Sequence, residues 1–265
     1  MIKKLGYTLI KNQAEHILEQ NGFTKLPIDL QKLAEKKDIL VKPKNDCQDG
    51  VSGMLIRMGE SYGILYATHL NNLGFENFSI AHEMGHYFLE GHPDQVLDIN
   101  GIHESCAGFI SQNQYEREAD TFAASLLMPE DLFKDKMKEF GTGFEGIEAM
   151  AKVCNTSLTA TAIRYVELSN YKIAVIVSTN GIVDYCCFSN SVFDLKDIEK
   201  PKKGDKIPRG TKTELLAANP GLVSGGERLY GETDFRDWLD SKKPKEAAEE
   251  AIGLGKYGKV LTVIS

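Results

Sequence analysis

Residues 82–86 read His-Glu-Met-Gly-His, and this pentapeptide constrains the chain more than any other part of it. On an α-helix, residues four apart lie on one face with their Cβ atoms roughly 5–6 Å apart. His82 and His86 can therefore converge on one tetrahedral metal ion. Glu83 is turned about 100° from His82. It is too offset to share the metal easily, but it is placed to take a proton from a water that the metal activates. Zinc lowers the pKa of such a water to roughly 7, so the pattern points to hydrolysis with Glu83 as general base. The plainer reading is a surface helix with two incidental histidines. Its flanks oppose it: Ser79-Ile80-Ala81 and Tyr87-Phe88-Leu89 set the pentapeptide in an apolar stretch, where unpaired His and Glu side chains are costly.

A catalytic zinc takes a third protein ligand, and Cys106, His92, His103, Glu116 and Glu118 all qualify by type. A strong helix is expected from about Gln114 to Leu127, stopped by Pro129. Its apolar stripe is Ala119, Phe122, Ala123, Leu126 and Leu127. At about 100° per residue, Glu116 lies roughly 50° from the stripe centre and Glu118 roughly 110° away on the other side. Glu116 is the more inward carboxylate and is expected to be the third ligand. Asp120, one turn on, is placed to accept the second ring N–H of a ligating histidine and so fix its tautomer. The group that would stabilise an oxyanion stays open among Tyr66, Tyr87, His92, His103 and Tyr115.

The formal net charge of −7 disfavours a surface built for nucleic acid, where phosphates reward clustered Lys and Arg. Five cysteines, Cys47, Cys106, Cys154, Cys186 and Cys187, form no CxxC pair, which fits a reducing compartment and apolar packing. The N-terminal stretch lacks the long apolar run of a secretory signal, and no segment approaches the ~18 apolar residues of a membrane helix. A cytoplasmic protein without membrane contact is expected.

Along the chain, Ile10–Gln20 and a short segment through Leu30, Leu33 and Ala34 read as helices. Ile39–Val41, Ser52–Ile56 and Tyr62–Tyr66 read as short strands. The helix carrying the pentapeptide runs from Glu76 to Leu89, and a polar stretch from Gly91 to Gln112 reads as loop with short elements. Helices are expected over Ile147–Val153 and Leu158–Leu168. Beyond Asn170, two β-branched runs flank Thr179-Asn180-Gly181, a hairpin signal, and Lys259–Ile264 reads as a final strand. The expected division is 1–139, 140–169 and 170–265. The last part is an α+β domain without an assignable role, and its Lys-rich stretches at 200–203 and 206–212 read as solvated surface.

Phe78-Ser-Ile-Ala-His-Glu-Met-Gly-His-Tyr-Phe-Leu, followed by Glu116-Arg-Glu-Ala-Asp-Thr-Phe-Ala-Ala-Ser-Leu-Leu-Met-Pro129, resembles the ImmA/IrrE family of metallopeptidases. Leu26-Pro-Ile-Asp-Leu and Val51-Ser-Gly-Met also fit, and the resemblance covers roughly residues 10–168. It implies zinc held by His82, His86 and Glu116, with Asp120 where many members have Asn. It implies an α+β fold: a zincin-like domain, then a helical HTH-like segment, here joined to a β-rich C-terminal domain. It also implies a protein substrate, an HTH-type transcriptional repressor in a regulatory or stress-response switch. The segment Gly146–Arg164 resembles a helix-turn-helix with Asn155-Thr156 in the turn, but Lys152 and Arg164 are its only basic residues. Packing or protein docking is therefore expected of it rather than DNA binding. A zinc-stabilised module that sequesters a repressor without cutting it is the alternative. Glu83 separates the two, because a scaffold has no use for a general base beside the metal.

Overall fold

The computed structural model describes residues 6–45, 50–106, 113–194, 199–239 and 245–265. Cys47 and the end of the 91–112 stretch lie outside them. The chain is α+β and divides into two compact units, Met1–Lys136 with Met150–Ser157, and Met137–Ala149 with Leu158–Ser265.

The first unit opens with α1 (Tyr7–Gln20), whose Ile10, Ala14, Ile17 and Leu18 recur at helical spacing and are buried. A short α2 (Leu30–Glu35) follows, its Asp29 side chain accepting from the Lys32 N–H. Three strands come next, β1 (Ile39–Lys44), β2 (Val51–Met58) and β3 (Ser61–Ala67), and then α3 (Leu73–Phe88), capped by Asn72. After α3 come a short α4 (His92–Val96), a fourth strand β4 (Ile102–Cys106) and α5 (Gln114–Leu127). The sheet order is β1-β3-β2-β4, with β1 parallel to β3 and the other pairs antiparallel. β4 therefore lies at an edge, opposite Leu55 and Ile56 of β2 through His103 and Ile102.

The core of this unit lies where α1, α3 and α5 pack and where α3 meets β2 and β3. Phe122 and Met84 are wholly buried there, and the Phe122 ring stacks on Phe88 at 5.8 Å. Each such side chain contributes roughly 1.5–3 kcal/mol by leaving water. α6 (Glu130–Met137) begins just after Pro129. The helices α7 (Gly143–Cys154) and α8 (Leu158–Leu168) follow, separated by three residues, with Asn155 left-handed at φ 53°. Arg164 of α8 is buried and paired with Glu167 at 2.9 Å.

In the second unit, β5 (Ala174–Thr179) and β6 (Ile182–Phe188) form the expected hairpin. Asn180 and Gly181 take φ of 50° and 75° in its turn, the mirror-image turn that matches strand twist. Two short helices, α9 (Lys212–Ala217) and α10 (Pro220–Gly225), lead to β7 (Arg228–Asp234), α11 (Phe235–Trp238), β8 (Glu246–Gly253) and β9 (Lys259–Ile264). The strands form an antiparallel sheet of order β6-β5-β9-β8-β7. Ala174, Ile176, Phe235, Trp238 and Ile264 pack one apolar cluster of this unit. Buried Glu249 on β8 accepts from the Lys212 and Thr213 N–H groups and so ties down the start of α9.

Among the described residues, no helix is long and apolar enough to cross a membrane. Cys154 is buried as expected of a packing cysteine, whereas Cys106 is exposed.

Candidate metal centre

The site depends on how closely α3 and α5 approach. A β-carbon built on Gly85 would lie 3.0 Å from the Ala119 Cα and 3.2 Å from its carbonyl oxygen. The two backbones thus touch beside His86, and any side chain at 85 would force them apart. That contact sets the first turns of α5 over the histidine face of α3.

His82, His86, Glu116 and His103 each turn a ligand atom inward, and these atoms all lie within 4.8 Å of one another. His82 Nε2 is 3.1 Å from His86 Nε2 and 3.3 Å from Glu116 Oε2. Glu116 Oε1 is 3.4 Å from His86 Nε2 and 3.3 Å from His103 Nε2. A tetrahedral ion held about 2.0–2.1 Å from each donor spaces its donors about 3.3–3.4 Å apart, so the cluster has the dimensions a zinc ion requires. The donor chemistry agrees. Glu116 Oε1 is buried with no hydrogen-bond partner, even though two imidazole nitrogens stand beside it. An unpartnered buried carboxylate oxygen is costly unless a cation satisfies it.

Electrostatics follow the same geometry. Burial pushes the His86 imidazole down to about 3, leaving it neutral. Burial also opposes charge on His82, but Asp120 and Glu116 outweigh it and raise that imidazole to about 10. Burial would raise Glu116 too, yet His103, His82 and His86 hold its carboxyl well below the ordinary range. Asp120 Oδ1 stands 2.8 Å from His82 Nδ1, which leaves His82 Nε2 directed into the cluster.

Glu83 is wholly buried, and neither carboxylate oxygen has a hydrogen-bond partner of proper geometry. Burial pushes its carboxyl upward, against the pull of His82, Ser105 and His103 nearby. Gly53 on β2 makes room for it, since a β-carbon there would sit 2.6 Å from Glu83 Oε1.

Glu118 does not face outward as its position on the α5 helix predicts. Glu118, expected on the outer flank, is 3% exposed and turns to α4 rather than to the cluster; its Oε2 lies 3.1 Å from His92 Nε2. A wheel drawn for α5 sees only that helix's own apolar stripe and not the short α4 that covers its other side. Of the remaining ligand candidates, Cys106 sits exposed at the end of β4 and outside the cluster. His103 belongs to the cluster, and Ser105 Oγ stands 3.1 Å from its Nε2. Its strand, Ile-His-Glu-Ser-Cys, is too polar to announce itself as a strand; only the His103–Ser105 alternation hints at a shared face. Among the oxyanion candidates, Tyr87 packs edge-on against Tyr62 at 5.0 Å, and Tyr115 edge-on against His92 at 5.1 Å.

Parts of the chain are similar to known proteins. A family model, the IrrE N-terminal-like domain of peptidase family M78, matches residues 34–164. The radiation response metalloprotease IrrE of Deinococcus radiodurans is 26% identical over 106 residues, which are 40% of this chain and 31% of that relative. The matched stretch is thus well under half the length of either protein. A solved structure of a Mycobacterium tuberculosis transcriptional regulator shares the fold. It has a TM-score of 0.59 and 13% identity, covering 96% of this chain and 75% of that one. Residues 34–164, the segment that holds the cluster, thus match the IrrE N-terminal-like domain of the ImmA/IrrE metallopeptidases.

Proposed function

We propose that this protein is a zinc peptidase of the HExxH type. His82, His86 and Glu116 hold the ion, Glu83 is the general base, and the substrate is an HTH-type repressor in the cytoplasm. One observation carries the reading: three donors converge at tetrahedral spacing, and an unpartnered Glu83 carboxylate is buried on the next residue. Bound zinc supplies Lewis acidity and lowers the pKa of water to roughly 7.

Every other role falls to the chain. Glu83 takes the proton from the attacking water on a carboxylate oxygen and returns it to the departing amine nitrogen. Its upward shift brings it nearer the pKa such a shuttle needs. Asp120 holds His82 in the tautomer whose Nε2 lone pair faces the cluster. His103, on the edge strand, is the nearest further imidazole and is the candidate for stabilising charge on the substrate oxygen. Arg164, buried and paired with the exposed Glu167, favours α8 as a packing element over a DNA reader.

The test is to incubate zinc-loaded protein with HTH repressors encoded beside it and with unrelated unfolded chains, mapping products by mass spectrometry. A restricted, chelator-sensitive cut in one repressor, absent in Glu83→Gln, is the expected result. Equal cutting of all chains would reject the repressor, and binding without any cut would leave a sequestering module.

A further inference from the structure

Behind His86 lies a chain of buried polar groups that the proposed reaction does not use. The chain reverses after α3 at Gly91, left-handed at φ 80°, and brings His92 back alongside His86. Both imidazoles are wholly buried, and His86 Nδ1 stands 3.2 Å from His92 Nδ1. His92 Nε2 stands 3.1 Å from Glu118 Oε2, and Gln114 Nε2 donates to Glu118 Oε1 at 2.6 Å. Tyr115 closes the site edge-on over the His92 ring.

With His92 as a neutral imidazole, the donors and acceptors allow one consistent assignment. A carboxylate only accepts, so His92 carries its proton on Nε2 and donates it to Glu118. Its Nδ1 then offers a lone pair, and the facing His86 Nδ1 carries the N–H that fills it. That leaves His86 Nε2 with a lone pair directed at Glu116 and His82. We infer that His92, oriented by Glu118 and Gln114, is a positioning residue that fixes the metal-binding tautomer of His86. Glu118 thereby does for His86, through one intervening imidazole, what Asp120 does for His82 directly. α5 supplies all three carboxylates: Glu116 to the cluster, and Asp120 and Glu118 to the two histidines.

The inference rests on the metal-centre reading, so the experiment separates the two. Zinc affinity of the full chain is measured by competition with a chromophoric chelator, first for the unaltered protein and then for His92→Phe and His92→Asn. Phe keeps the ring's bulk but has no acceptor, whereas Asn places a carbonyl oxygen near the position of Nδ1. The expected result is a loss of about 10- to 100-fold for His92→Phe, with His92→Asn recovering most of it. In the metal-free unaltered protein, nitrogen-15 NMR of the histidines should show His86 protonated on Nδ1. Absence of zinc binding by the unaltered protein would reject the metal centre itself. Equal affinity in His92→Phe, or equal losses in Phe and Asn, would overturn the relay while leaving the metal centre standing. Should His92→Phe fail to fold, the NMR decides alone, and His86 protonated on Nε2 overturns the proposal.

Discussion

Glu83 reaches across from α3 until its Oε1 lies over Gly53, 2.6 Å from where a β-carbon at that position would sit. The proposed base and this strand residue therefore share one space, and the base keeps its place only because residue 53 has no side chain. Both zinc affinity and turnover can be read on variants of this pair. Glu83→Gln should keep zinc and lose turnover by at least about 100-fold, because Gln cannot accept the proton. Gly53→Ala should also keep zinc, since it touches no donor of the cluster, yet lose about 100-fold in turnover through displacement of the carboxylate. Unaltered turnover in Gly53→Ala would show that Glu83 does its work from another position.

Asp120 approaches His82 Nδ1 to 2.8 Å. Asp120→Ala should weaken zinc binding by about 10- to 100-fold. Asp120→Asn should cost less, because its side-chain oxygen still accepts the ring N–H. Chelator competition decides between them, and equal affinities for all three proteins would remove Asp120 from the site.

Zinc must displace the proton that Asp120 and Glu116 hold on His82, whose imidazole is raised to about 10. Below that value, binding releases a proton, so affinity rises with pH by up to about tenfold per unit and falls as the solution is acidified. His86, lowered to about 3 by burial, has no proton to lose at neutral pH. Calorimetry at pH 7 in buffers of different ionisation heat should therefore count about one proton released per zinc. A count of zero would mean that His82 is already neutral in the metal-free protein.

Phe122 is wholly buried and stacks on Phe88 at the end of the histidine helix. Phe122→Ala should destabilise the metal-free protein by about 3–5 kcal/mol, read from urea unfolding by far-ultraviolet circular dichroism. A loss below about 1 kcal/mol would mean that the helices close over the gap.

Local pattern alone determined a good deal here. The i, i+4 histidines, the boundaries of α5, the inward lean of Glu116 and the Asn180-Gly181 hairpin were all legible, because each depends on residues within one helical turn or one two-residue loop. Other features needed the folded chain. His103 enters the cluster because β4 pairs with β2 some fifty residues away, and nothing local reports such a pairing. Glu118 looked outward until α4 covered it. In the second unit, Glu246–Gly253 is rich in Ala and Glu, residues that favour helix when alone, yet it is strand β8. There β7 and β9 flank it on both edges, and ladder pairing on two sides outweighs a propensity of a few tenths of a kcal/mol per residue. Chemistry carried by one helix can be read along the sequence. The shell that orients it is assembled from segments distant along the chain, and only tertiary packing decides which of them meet.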